Sequence, residues 1–175
     1  FLNTHSLTSE YFGDLYKKNK KEFNKHYKTF SNKTAYLLKL IGANVNTVPV
    51  LDIRAKGSSN IIGNRSFSND AKIVSNIGNI CIKNFHKNNI GTVIKHIPGH
   101  GLARVDSHKS TPTVKTKHVK LLKNDFSSFK NKKSLLAMTA HIIYEDIDAL
   151  NTATHSKKII KLIRNNIKFN GILMS

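Results

Sequence analysis

Four short runs rich in Val, Ile and Leu alternate with stretches whose apolar residues recur at helical spacing, and polar residues gather just downstream of the runs. An apolar run of strand length followed by an amphipathic helix is a βα unit, and successive units pair their strands in parallel. Polar groups after the strands place any chemistry at the C-terminal edge of the sheet. These observations predict an α/β protein with about four βα units, part of a (β/α)8 TIM barrel. An open doubly wound sheet is the alternative fold, but no Gly-x-Gly-x-x-Gly follows any run, which removes the usual dinucleotide argument for it. A full barrel takes about 250 residues. This chain has 175, starts on Phe1 and stops inside the apolar run Gly171-Ile-Leu-Met-Ser175. The expectation is therefore one domain over residues 1–175, truncated at both ends.

Taken in order, residues 1–30 place Tyr11, Phe12, Tyr16, Phe23 and Tyr27 partly at helical spacing, with Gly13-Asp14 as a break, and read as loop, then helix. Ser31 is positioned to cap a helix running to Ile41, with Ala35, Leu37, Leu38 and Ile41 as its apolar stripe and Gly42 as its stop. Residues 44–53 read as the first strand, with Pro49 near an end or a bulge. Asp52 either points into a site or caps the next turn, and capping is the commoner role. Residues 54–70, dense in Gly, Ser and Asn, form a long loop of the kind that carries function.

Residues 71–88 then form an amphipathic helix that buries Ile73, Val74, Ile77, Ile80, Cys81 and Phe85. Residues 91–97 are the central strand. The chain is polar to about residue 133, anchored by Val119, Leu121 and Leu122, with Phe126 and Phe129 packing nearby. Residues 135–143 are the third strand, carrying His141 as a pocket wall or a hydrogen-bonded core histidine. Ser156 caps a helix of Ile159, Ile160, Leu162 and Ile163, and residues 169–175 open the fourth strand.

The net charge of +19 raises nucleic acid or an anionic membrane as partners. Lys and Asn are spread along the whole length, with no Arg-rich block and no aromatic residues interleaved in a basic tract. That pattern predicts solvated lysine faces with salt-sensitive attraction to polyanions, not a specific nucleic-acid site. The single cysteine, Cys81, excludes an internal disulfide and fits a reducing compartment. No apolar run approaches the ~18 residues of a membrane span.

The most informative stretch is Thr92-Val-Ile-Lys-His-Ile-Pro-Gly-His-Gly101, followed by Asp106-Ser-His108. A buried strand that ends in Lys95 and His96 and breaks at Pro-Gly delivers polar groups into a loop. Side chains alternate along a strand, so Lys95 and His96 are not expected to point the same way. Asp106 and His108, two residues apart, project to one side of an extended segment. A carboxylate accepting the imidazole N–H fixes its tautomer and stabilises its protonated form, making His108 a credible general acid and base.

Lys-His-Ile-Pro-Gly-His-Gly with Asp106-Ser-His108 resembles the signature of glycoside hydrolase family 3, in particular its bacterial β-N-acetylhexosaminidases. Weaker matches occur in order at Pro49-Val-Leu-Asp-Ile53, Ile62-Gly-Asn-Arg-Ser-Phe67, Met138-Thr-Ala-His141 and Gly171-Ile-Leu-Met-Ser175. The resemblance implies a retaining enzyme that removes terminal β-1,4-linked N-acetylglucosamine from peptidoglycan-derived muropeptides in cytoplasmic cell-wall recycling, with no cofactor. It implies His108 as acid/base, Asp106 as its partner, and Arg65, Lys95 and His96 as sugar-binding residues. The family's nucleophile is an aspartate just beyond a strand ending like Ile-Leu-Met-Ser, where this sequence stops, so the chain alone is expected to show no turnover. The expected partner is the carbohydrate substrate, with no membrane and with a monomer as the default.

Two rivals come from the residues themselves. His96, His100, Asp106 and His108 offer imidazole and carboxylate ligands suited to zinc, as in a metal-dependent hydrolase. The four-residue gap between His96 and His100 resembles a helical zinc pair, but Pro98-Gly99 makes that helix improbable. A basic polyanion-binding module is the other rival, and it predicts lysines gathered on one face.

Overall fold

The computed structural model describes residues 7–55, 61–105 and 111–175. Among them a four-stranded sheet has the order β1 (Val45–Asn46), β2 (Gly91–Ile97), β4 (Leu136–Thr139) and β6 (Ile172–Met174). Every pairing in it is parallel, with Val45 opposite Gly91, Val93 opposite Leu136 and Leu136 opposite Ile172. The four strands are the four apolar runs of the sequence, joined by helical crossovers as parallel strands require. Two short strands that periodicity does not reveal, β3 (Thr113–Val114) and β5 (Ile143–Tyr144), pair in parallel beside the sheet.

The N-terminal region departs most from the sequence reading. Helix α1 spans Ser9–Lys18 and helix α2 spans Lys20–Leu40, so the expected loop is helical from Ser9 onward. Asn19 makes the break and caps α2, its side chain accepting from the backbone N–H groups of Lys21 and Glu22. Gly13-Asp14 is no break: Gly13 lies inside α1, where a Cβ would stand 1.6 Å from the Phe67 carbonyl oxygen. Ser31 is not a cap either, since it is buried in mid-helix with its hydroxyl donating to the Tyr27 carbonyl at 2.6 Å. Of the predicted stripe, Ala35 is buried and Leu38 packs against the core, while Leu37 and Ile41 are exposed. The face that docks instead carries Phe23 and Tyr27, with rings stacked at 5.1 Å and Phe12 edge-on to Tyr27 at 4.8 Å.

Helix α3 (Ala71–Lys87) begins where Asp70 accepts from the Lys72 and Ile73 N–H groups, and it buries Val74, Ile77, Cys81 and Phe85. Burial pushes the Cys81 thiol up to about 12, leaving an unreactive core group. The polar stretch after residue 111 contains α4 (His118–Lys123), with Leu121 inward and Val119 exposed, and Phe126 and Phe129 are fully buried. Helix α5 (Lys157–Leu162) is capped by Ser156 and runs into a π-helical turn, Ile163–Ile167.

Two predicted strands are shorter than their apolar runs, for local reasons. Regular pairing of the first stops at Asn46 because Pro49 has no N–H to give. It resumes as single bonds, Lys95 N–H to Pro49 O and Leu51 N–H to Lys95 O. The third ends at Thr139, after which the chain crosses over so that Ile143 N–H bonds Pro112 O.

Candidate active site

The C-terminal ends of β1, β2 and β4 deliver Asp52, Lys95, His96 and His141 to one edge of the sheet. The ladder between β2 and β4 pairs Lys95 with Met138 and then Ile97 with Thr139, skipping His96. The Lys95–His96 and Ile97–Pro98 peptide bonds are cis. The register shifts between Lys95 and Ile97, and both the Lys95 and His96 side chains remain partly exposed.

Asp52 organises the loop. Its side chain is fully buried. One carboxylate oxygen accepts the His96 Nδ1–H at 2.7 Å, and the other accepts the His100 backbone N–H at 2.6 Å. The His96 backbone N–H is 3.2 Å from both oxygens. Burial acts to raise this carboxyl, but the His96 charge and hydrogen bond and the His100 N–H outweigh it and hold Asp52 below the usual aspartate range. It stays a carboxylate. The bond to Nδ1 fixes the His96 tautomer and leaves Nε2 for a ligand. Asp52 thus does not cap the turn that follows it, the role composition favours; its partners lie 44 and 48 positions away in sequence, and only the Pro-Val-Leu-Asp-Ile resemblance hinted at them.

Lys95 Nζ donates to Thr47 Oγ1 at 3.2 Å, which leaves two hydrogens for other acceptors. Partial burial first, then the Arg65 charge, lowers the Lys95 ammonium from the usual lysine range, with Asp52 opposing. Burial likewise lowers the His100 imidazole, aided by the charges of His96 and Arg65 and opposed by Asp52. The Arg65 charge thus acts on both Lys95 and His100. Arg65 ends a 3-10 turn, Gly63–Arg65, and donates to the Ile61 carbonyl. Of the three sequence-predicted sugar-binding residues, Lys95 and His96 adjoin near the end of β2, and the Arg65 charge acts on Lys95. Asp106 and His108 lie outside the described residues.

The loop Pro98-Gly99-His100-Gly101 packs down without room to spare. A Cβ on Gly101 would stand 1.9 Å from the Ile53 carbonyl oxygen. The ring of Tyr144 lies beneath the loop, with its hydroxyl donating to the Gly99 carbonyl. His141 is not a core histidine: it is exposed at this edge, its Nδ1 2.8 Å from Thr154 Oγ1.

The rings of His96 and His100 are 5.4 Å apart, edge to face. They stand on a strand end and a loop and so do not form the helical pair that the zinc reading borrowed. Among the described residues no three His, Cys, Asp or Glu side chains gather as a metal site.

Comparison with known proteins agrees with this geometry. Residues 16–175 match the model of the glycosyl hydrolase family 3 N-terminal domain. Beta-hexosaminidase of Bordetella pertussis is 28% identical over 141 residues, covering 79% of this chain and 40% of the relative. Beta-hexosaminidase A of Pseudoalteromonas piscicida is 30% identical over 154 residues, 79% of this chain and 26% of the relative. Among solved structures, NagZ from Neisseria gonorrhoeae in complex with N-trifluoroacetyl-D-glucosamine superimposes with a TM-score of 0.87 at 25% identity, over 96% of this chain and 50% of that one. Zinc-bound CbsA from Thermotoga neapolitana gives 0.75 at 30% identity, over 82% and 32%. The chain thus spans half or less of the length of these relatives, and its parallel strands and helices are a partial TIM-barrel-like fold rather than an open doubly wound sheet. This chain belongs to the N-terminal domain family of the family 3 glycosyl hydrolases.

Proposed function

We propose that the full-length protein is a retaining β-N-acetylhexosaminidase that removes terminal β-1,4-linked N-acetylglucosamine from peptidoglycan-derived muropeptides in the cytoplasm, and that this chain is an internal part of its catalytic barrel. The observation that carries the reading is the buried Asp52 carboxylate orienting His96, next to Lys95, at the C-terminal edge of a parallel sheet, where barrel enzymes hold their substrates. Beta-hexosaminidase relatives and a NagZ neighbour solved with a glucosamine derivative support the same substrate class.

In this mechanism Lys95 and Arg65 donate to sugar hydroxyls as charged hydrogen-bond donors. His96 offers Nε2, its other nitrogen being committed to Asp52. His108, backed by Asp106, protonates the leaving oxygen and later takes a proton from water, while a carboxylate nucleophile of the full-length protein forms and releases the glycosyl-enzyme. The test is hydrolysis of 4-nitrophenyl N-acetyl-β-D-glucosaminide by the full-length protein as encoded. Release with net retention is expected. His108→Ala should lower kcat by about 10²–10⁴-fold, the usual share of general acid–base catalysis. Absence of hydrolysis in the intact protein, or wild-type kcat in His108→Ala, would sink the reading.

A further inference from the structure

We infer that Tyr144 is a positioning residue for the sugar-binding loop, clasping the chain on both sides of the stretch between β2 and β3. The inference rests on the function proposed above, but its geometry stands apart from it. On one side, the Tyr144 hydroxyl donates to the Gly99 carbonyl, in the middle of the loop whose ends at His96 and His100 are gripped by Asp52. On the other side, Tyr144 lies opposite Val114 in the β3–β5 ladder, and the Glu145 N–H bonds the Val114 carbonyl. Tyr144 therefore holds the middle of the loop through its side chain while its backbone stands in the β3–β5 ladder.

The ring is built to hold still. It is 1% exposed and stands edge-on to Phe126 at 5.2 Å, while Phe126 is itself fully buried. Burial first, and then the charges of Asp52 and Asp125, push the phenol well above its usual range, so the hydroxyl keeps its proton and remains a donor. The Gly99 carbonyl is held from below by a neutral donor, while Asp52 takes the loop's N–H groups as a carboxylate. The two grips are complementary, because one satisfies an acceptor of the loop and the other its donors.

Nothing in the local sequence marks Tyr144. It follows an apolar run and, read alone, is a core aromatic with its polar tip at a surface. Its partner Gly99 is 45 positions away.

The decisive variant is Tyr144→Phe in the full-length protein, which keeps the ring and its packing and removes one oxygen. Amide hydrogen exchange is measured at residues 97–104 and 111–116, with residues 73–85 of α3 as internal control. Exchange should accelerate about tenfold in the first segment, as expected for one lost buried hydrogen bond, and stay unchanged in the second, whose backbone pairing the variant keeps, and in the third. Sugar affinity is read by fluorine NMR titration of N-trifluoroacetyl-D-glucosamine, and KM and kcat are measured with the aryl glucosaminide. Kd and KM should rise about tenfold while the thermal midpoint shifts little. A merely structural role would lower the folded fraction, and so apparent kcat, with KM untouched. Unchanged exchange at residues 97–104, or an unchanged Kd in the variant when the wild type binds the sugar, overturns the inference. If the wild type itself binds no sugar, the proposed function fails, and a tenfold local rise in exchange then supports the clasp alone.

Discussion

The Asp52 carboxylate and the His96 imidazole meet at 2.7 Å beneath the loop, the acid fully buried and the histidine side chain 17% exposed. The buried partner orients and the exposed partner is left to bind. Replacing Asp52 by Asn keeps the volume but leaves one acceptor oxygen for three donors, the His96 Nδ1–H and the backbone N–H groups of His96 and His100. Breaking a buried pair of this kind costs about 3–5 kcal/mol. Urea unfolding of Asp52→Asn should show that loss, and a loss below about 1 kcal/mol would mean the contact does not organise the loop.

The same carboxylate sets an acid limit. Its pKa is lowered in the folded state, so its contribution is fully present above the usual aspartate range and is lost as pH falls through the lowered value. Wild-type thermal stability should fall on the acid side of that range, and Asp52→Asn should fall less steeply there. Parallel pH–stability profiles for the two proteins would contradict it.

Asp125 works in the opposite direction. Burial, chiefly, and the charge of Asp52 push it up to about 6, against its own backbone hydrogen bond and Lys120. A carboxyl raised above its unfolded value destabilises the fold, and this penalty grows as pH rises from the usual aspartate range to about 6, above which it is complete at on the order of 2–3 kcal/mol. Asp125→Asn should therefore be more stable than wild type at pH 8, with the two converging below about pH 4. Calorimetry across that range checks it, and a constant offset at all pH values would refute the assignment.

Lys95 exchanges stability for binding. Its ammonium is held partly desolvated beside Arg65. Lys95→Met should leave the thermal midpoint unchanged or raised, since an apolar stem replaces a disfavoured charge. Affinity for N-trifluoroacetyl-D-glucosamine should fall by about tenfold or more, the usual consequence of losing a charged hydrogen bond. A destabilised variant with intact affinity would reverse the reading.

Gly101 tests how closely the loop must approach the strand below it. An alanine methyl group there would stand 1.9 Å from Ile53 O and 2.9 Å from its carbonyl carbon. Backbone cannot rotate aside as a side chain can, so the segment after Asp52 would have to move. Gly101→Ala should cost about 2–4 kcal/mol in chemical denaturation and weaken sugar binding with it. A neutral substitution would show that the two backbones are not in contact.

Local chemistry wrote much of this protein into its sequence. Apolar periodicity placed the four strands and α3, Ser156 announced a helix start, and a Pro-Gly break after Lys95-His96 located the loop, because each signal needs only neighbours a few residues away. The family resemblance, at Lys-His-Ile-Pro-Gly-His-Gly and at Ile62-Gly-Asn-Arg-Ser-Phe67, pointed to Lys95, His96 and Arg65 as candidate sugar-binding residues. Tertiary structure alone decided that Ser31 sits in mid-helix, that an aromatic face of α2 docks in place of Leu37 and Ile41, and that Asp52 and Tyr144 grip one loop from two sides. Those outcomes depend on partners 44 or more positions distant for Asp52 and Tyr144, and for Ser31 on the neighbouring helix that buries it. A residue's polarity tells that it must find a partner; the fold determines which one it finds.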